Sequence, residues 1–137
     1  MISYQDIASL HEESARKRLL EILSSLSFRY SEEGFTLASG RKSHYYFDCK
    51  PTFSSAEARY LIGALLFRKV QHLSFQAVGG MAVGAIPIAN TVSDAAYRAG
   101  REVRSFFVRK TAKEYGTQKR VEGNVRPGEK VLIVEDS

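Results

Sequence analysis

From Phe75 onward the chain alternates short apolar runs with polar or helical stretches, and that alternation restricts the fold more than any other feature. "FQAVGG" is an apolar run ending in paired glycines; "VRSFFVRK" and "KVLIV" follow, separated by a helical segment and by the polar stretch "TAKEYGTQKRVEGNVRPG". Strand, helix, strand, loop, strand is the pattern of an α/β domain built on a largely parallel sheet. Continuous runs such as "FFV" and "VLIV" predict strands buried on both faces, as parallel sheets require. The helix is predicted from about Ile86 to Ala99, closed by Gly100. In open sheets of this kind ligands bind beyond the carboxyl ends of the strands. Those ends here read "GGMAVGA", "RKTAKEYG" and "EDS".

The first half has a different rhythm. Residues 4–27 predict an amphipathic helix, with Ser3 as N-cap and Ile7, Leu10, Leu19, Ile22, Leu23 and Leu26 at near-helical spacing. "EEGFTLASGRKSHYYFD" breaks it at Gly34 and predicts two short strands, Phe35–Leu37 and Tyr45–Asp48, around a Ser-Gly turn. A second helix is predicted over 55–70, capped by Ser54 or Ser55, with Leu61, Ile62, Leu65 and Leu66 on one face. No repeat or low-complexity tract interrupts the chain, and its 137 residues suit one domain, divided into residues 1–53 and a core over 54–137.

Composition sets limits on function. The N-terminus is polar and acidic before it is basic, unlike a signal peptide, and no apolar run approaches the roughly 20 residues that span a bilayer. The lone Cys49 cannot form an internal disulfide, which fits a reducing cytoplasm. The net charge of +5 is concentrated: residues 101–130 hold nine Lys or Arg against four Glu. Such an excess suits a polyanionic partner, either a phosphorylated small ligand or nucleic acid; it also suits an ordinary solvated basic surface. His11, His44 and His72 are too scattered for a metal set, and no G-x-S-x-G element suggests a serine hydrolase.

Each strand end can be read in two ways. Gly79, Gly80 and Gly84 lie in a strand-to-helix turn where backbone amides could approach an anion beside a helix N-terminus, or the turn is merely tight. Arg109, Lys110 and Lys113 fall within five residues, followed by Gly-Thr-Gln. They suit a mobile loop closing over a polyphosphate, or an exposed hairpin with incidental cations. Glu135 and Asp136 suit acceptance of sugar hydroxyls or the water shell of Mg²⁺, or an acidic turn.

Taken together, "FTLASGRKSHYYFDCK", "VGGMAVGAIPIA", "FFVRKTAKEYGTQKRVEG" and "VLIVEDS", in this order and spacing, resemble the orotate phosphoribosyltransferases from about residue 15 to the last residue. The resemblance implies a type I phosphoribosyltransferase fold, with an N-terminal hood before the core. It implies transfer of ribose 5-phosphate from phosphoribosyl pyrophosphate (PRPP) to orotate, giving orotidine 5′-phosphate and pyrophosphate in pyrimidine biosynthesis. Mg²⁺ would arrive on PRPP, with no direct protein ligand. The glycine turn would meet the pyrophosphate. Arg109, Lys110 and Lys113 would belong to a catalytic loop reaching a neighbouring subunit's site, implying a homodimer; Lys113 and Tyr115 would be its catalytic positions. Glu135 and Asp136 would bind the ribose hydroxyls, with Ser137 beginning the phosphate loop. Tyr46 and Phe47 would lie against orotate.

Three departures stand out. Lys113-Glu114-Tyr115-Gly116 replaces the family's Lys-x-His-Gly, losing a side chain able to carry charge near neutral pH. Ala38 stands where one branch has an orotate-contacting lysine. The Thr-x-Gly-x-Ser loop expected after the acidic pair does not follow Ser137, so the resemblance implies missing C-terminal strands, an open apolar edge on the last strand, and an inactive fragment. Two further readings use the same fold: a PRPP-sensing regulator binding nucleic acid through residues 101–130, although no helix-turn-helix is recognisable, and a noncatalytic dimerisation partner.

Overall fold

The computed structural model describes residues 11–116 and 118–137, so the expected Ser3 cap, Ile7 and Leu10 lie outside the described residues, as does Thr117. The chain forms two compact units, Met1–Ala58 and Arg59–Ser137.

In the first unit, helix α1 spans Glu12–Leu26 and buries Ala15 and Ile22, while Leu20 faces solvent. It ends where the expected 4–27 span does: the Ser27 amide donates to the Leu23 carbonyl and a strand begins at the next residue, so Gly34 is not what stops it. Strands β1 (Phe28–Thr36) and β2 (Lys42–Phe47) form an antiparallel hairpin. β1 starts well before the expected Phe35, because Phe28 and Tyr30 have aromatic partners across the hairpin: Phe28 stacks on Tyr45 at 5.8 Å and Tyr30 meets it at 5.4 Å. Gly34, at φ +79°, sits where the register shifts between Tyr30 and Phe35. It marks a bulge, not a helix stop. The Ser-Gly turn is as expected, with Gly40 at φ +80° and its amide on the Leu37 carbonyl. A short helix the periodicity does not reveal, α2 (Lys50–Ser54), follows; its buried Thr52 hydroxyl lies 2.5 Å from that of Ser27.

Helix α3 (Ala56–Val70) matches the sequence reading, and the Ser55 hydroxyl caps it by accepting from the Ala58 amide at 3.2 Å. Arg18 of α1 grips Glu57 with both Nε (2.7 Å) and Nη2 (3.0 Å). Its guanidinium, first among the causes, holds the Glu57 carboxyl below the usual range.

The second unit carries β3 (Ala77–Met81), α4 (Ala85–Arg98), β4 (Arg104–Val108), β5 (Val121–Glu122) and β6 (Val131–Ile133). The strand order is β5-β4-β3-β6, with β3 parallel to both β4 and β6 and β5 antiparallel to β4. Ala77 and Val78 of β3, Phe106 of β4, and Ile88, Ala89, Val92 and Ala96 of α4 form its core. α4 closes as predicted, with Gly100 at φ +81°. α3 and α4 approach closely at Gly63, where an added Cβ would collide with the Thr91 carbonyl; the Thr91 hydroxyl donates to the Arg59 carbonyl.

Two expectations need correction. β6 is not buried on both faces among the described residues: Ile133 is 65% exposed and Val131 is also exposed. β5 interrupts what reads as one polar stretch, because antiparallel pairing with Phe107 and Val108 supplies the backbone partners that a two-residue run cannot announce by periodicity.

Candidate functional site

The glycine turn is shaped by packing before it is shaped by any ligand. A Cβ on Gly79 would stand 2.6 Å from two carbons of the Phe106 ring. One on Gly80 would collide with the Val134 carbonyl and lie 2.7 Å from the Ala85 Cβ. Both glycines lie inside β3, not in the loop after it, and serve close approach of three strands and a helix. Gly84 is the residue at the helix start. It occupies the N-cap of α4 with no side-chain cap. Pro87 has no amide N–H and the Ile86 amide donates to the Val83 carbonyl at 3.1 Å, which leaves the Gly84 and Ala85 amides as the first-turn donors for an anion. The Ala82 amide is already committed, donating to the Val108 carbonyl at 2.9 Å, and the Ala82–Val83 peptide is cis.

β6 delivers the acidic pair to the same place. The Val134 amide donates to the Gly79 carbonyl at 2.9 Å, carrying the β3–β6 ladder one residue further. Glu135 is exposed, and its Oε1 accepts from the Asp136 amide at 2.9 Å. Asp136 is half-buried with its carboxylate directly against the Gly84 Cα, in space that a side chain at 84 would need. The structure thus brings Gly79, Gly80, Gly84, Glu135 and Asp136 together at the carboxyl ends of β3 and β6. A carboxylate beside the positive end of a helix dipole is favourably placed, and Asp136 holds that position at the start of α4. Ser137 follows, exposed.

The cationic segment leaves the carboxyl end of β4, the strand next to β3. The Arg109 amide donates to the Arg120 carbonyl at 2.8 Å, and the Arg120 guanidinium donates to the carbonyls of Arg109 (3.2 Å) and Lys110 (3.1 Å). Two of the three expected cations converge on one acceptor that sequence reasoning missed: Glu122 Oε1 takes Lys113 Nζ at 2.8 Å and Arg109 Nε at 2.9 Å. Lys113 foremost, then Arg109, holds the Glu122 carboxyl below the usual range. Its signal in the sequence is a single glutamate in "KRVEG", indistinguishable from a surface charge until β5 pairs with β4. Lys110 is exposed, and Tyr115 is 79% exposed. Further along, Arg104 pairs with Glu129 at 2.6 Å, holding that carboxyl low with help from the Arg126 amide. The basic region is thus partly neutralised from within.

Tyr46 and Phe47 belong to the first unit, on β2 opposite Arg29 and Phe28. Phe47 is 54% and Tyr46 40% exposed, with the Tyr46 ring 5.4 Å from that of Phe35. Among the described residues no group of three or more His, Cys, Asp or Glu is placed to hold a metal ion, and no helix is long and apolar enough to cross a membrane.

No protein-family model matches the chain. Individual proteins do. The chain is 37% identical over 131 residues to the orotate phosphoribosyltransferase of Bradyrhizobium sp. strain BTAi1, covering 93% of this chain and 70% of that protein. Among solved structures it is similar to the orotate phosphoribosyltransferase of Mycobacterium tuberculosis H37Rv in complex with Fe(III) dicitrate, at 36% identity and a TM-score of 0.75, over 89% of this chain and 67% of the other. The complex of the same enzyme with PRPP gives 33% identity and a TM-score of 0.71, over 89% and 64%.

Proposed function

Because the chain belongs to the orotate phosphoribosyltransferase family, we propose that it serves the transfer of ribose 5-phosphate from PRPP to orotate, releasing pyrophosphate. The observation that carries this reading is the meeting of Asp136 with Gly84: it sets hydroxyl acceptors beside the start of α4, where the Gly84 and Ala85 amides can meet an anion, as a phosphorylated sugar demands. In this reading Glu135 and Asp136 accept from the ribose hydroxyls, and Ser137 opens the region that meets the 5′-phosphate. The turn ending at Gly84 faces the pyrophosphate, while Gly79 and Gly80 keep the strands close enough to form it. Arg109, Lys110 and Lys113 stabilise the departing anion; since that charge develops as the glycosidic bond breaks, their contribution falls on the transition state. Tyr115 offers a hydroxyl where the family has imidazole. Tyr46 and Phe47 supply aromatic surface for the orotate ring.

Mg²⁺ fits this donor set as a passenger on the pyrophosphate, and when bound it would neutralise part of that charge. Glu135 and Asp136 are the carboxylates that would meet its water shell. We further propose a cytoplasmic homodimer in which the cationic segment acts on the partner's site. A nucleic-acid role has less support, because Glu122 and Glu129 already engage Arg109, Lys113 and Arg104.

The test is PRPP binding together with pyrophosphate release in the presence of orotate and Mg²⁺. Binding with release supports the enzyme. Binding without release supports the sites and leaves these 137 residues noncatalytic. Loss of both overturns the proposal.

A further inference from the structure

Among the described residues Glu122 is the acceptor that both Arg109 and Lys113 use, and they share a single oxygen of it. We propose that Glu122 is a positioning residue that sets the affinity of the cationic segment for polyphosphate: it is the resident counter-anion, and an incoming pyrophosphate group must take Lys113 from it. The inference rests on the polyphosphate reading of Arg109, Lys110 and Lys113.

The two cations are not held alike. Arg109 is fixed through its backbone, its amide on the Arg120 carbonyl and its own carbonyl receiving the Arg120 guanidinium. Glu122 is fixed too, paired with Phe107 in the β4–β5 ladder. Lys113 lies three residues beyond the last of these backbone contacts, Arg120 to the Lys110 carbonyl, and reaches Glu122 through a flexible four-carbon stem. When pyrophosphate arrives, Lys113 can leave while Arg109 stays, so the carboxylate is never stranded without a cation. The exchange replaces one half-exposed ion pair by another, which keeps its energetic cost small. Pyrophosphate carries more charge and more acceptor oxygens than one carboxylate and wins the competition, but at an affinity lowered by the pair it breaks.

The experiment is calorimetric titration of the 137-residue chain with magnesium pyrophosphate, comparing wild type with Glu122→Gln, Glu122→Asp, Lys113→Gln and the double variant Glu122→Gln/Lys113→Gln. Glu122→Gln is expected to bind roughly three- to tenfold more tightly, the range expected from releasing one or two surface ion pairs. Glu122→Asp should return affinity toward wild type, and the gain should shrink markedly when Lys113 is also absent. As a check independent of folding in the variants, the carboxyl carbon resonance of Glu122 in the wild-type chain should move on pyrophosphate addition. Equal or weaker binding by Glu122→Gln, a gain that persists without Lys113, or an unmoved Glu122 resonance would overturn the inference while leaving the polyphosphate site standing. No pyrophosphate binding by either wild type or Glu122→Gln would remove both.

Discussion

The glycine turn and the cationic segment leave neighbouring strands at the same edge of one sheet, yet different forces hold them. The end of β3 and the turn after it are defined by exclusion: Gly79 and Gly80 in the strand and Gly84 at the helix start have neighbours where a side chain would go, namely Phe106, Val134 with Ala85, and Asp136. The segment is defined by charge, through two ion pairs on one glutamate and a guanidinium on two carbonyls. Steric exclusion acts over tenths of an ångström and does not exchange partners, whereas surface ion pairs are weak and replaceable. The difference separates a preformed half of the site, suited to recognising a fixed shape, from an adaptable half suited to following charge as it moves.

The sharpest way to break this comparison is to overfill the strand end that leads into the turn. Gly80→Ala should lower stability by ~3 kcal/mol, the upper range for overpacking, seen as a fall in melting temperature. Gly116→Ala, with nothing within 4 Å but φ +72°, should cost about 1 kcal/mol through backbone strain alone. Equal losses would mean that packing does not define the turn. Next in size, Lys113→Gln should weaken PRPP binding by about tenfold, as expected for a charge-assisted contact, and leave the melting temperature nearly unchanged. A large thermal effect from that change would place Lys113 in the scaffold instead.

Acid should separate the two halves without any mutation. The carboxyls of Glu122 and Glu129 are held below their usual range by their cations, Lys113 and Arg104 foremost. Their contribution is therefore complete above the ordinary glutamate pKa and is lost as pH falls through the lowered folded values. Amide exchange should show residues 109–122 loosening in that window while β3 and α4 stay protected; simultaneous loss would contradict the division. The smallest effect belongs to Tyr115→His. On an exposed side chain it should shift stability by no more than about 0.5 kcal/mol. In an active assay it should increase turnover below the imidazole pKa, about 6.5, with the advantage fading at higher pH.

The rigid half was only partly legible in the sequence. The glycines, the helix after them and the acidic pair all stand out, because each is a local signal at a strand end. Their division of labour does not: a glycine needed for a phosphate and one needed for Phe106 look identical until the strands are laid side by side. Clustering at a strand end marks Arg109, Lys110 and Lys113, but the acceptor shared by Arg109 and Lys113 is silent, since Glu122 gains meaning from a two-residue strand formed by non-local pairing. The same limit explains β1. "FRYS" carries no helix stop of its own beyond Ser27, and its strand character comes from Tyr45 and Phe47 across the hairpin. By contrast α3 and α4 were read closely, because helical periodicity, the Ser55 cap and Gly100 all act within a few residues.

The contact between α3 and α4 at Gly63 and Thr91 bears on how much work a bound anion can extract from the protein. There is no space for even a methyl group at this crossing, and the Thr91 hydroxyl is engaged across it, so movement of α4 at this point would break a close contact and a hydrogen bond. An anion at the amino end of α4 would therefore meet a dipole whose direction the packing already favours. Compliance then falls to the cationic segment, whose surface ion pairs exchange more readily than a close-packed helix crossing shifts.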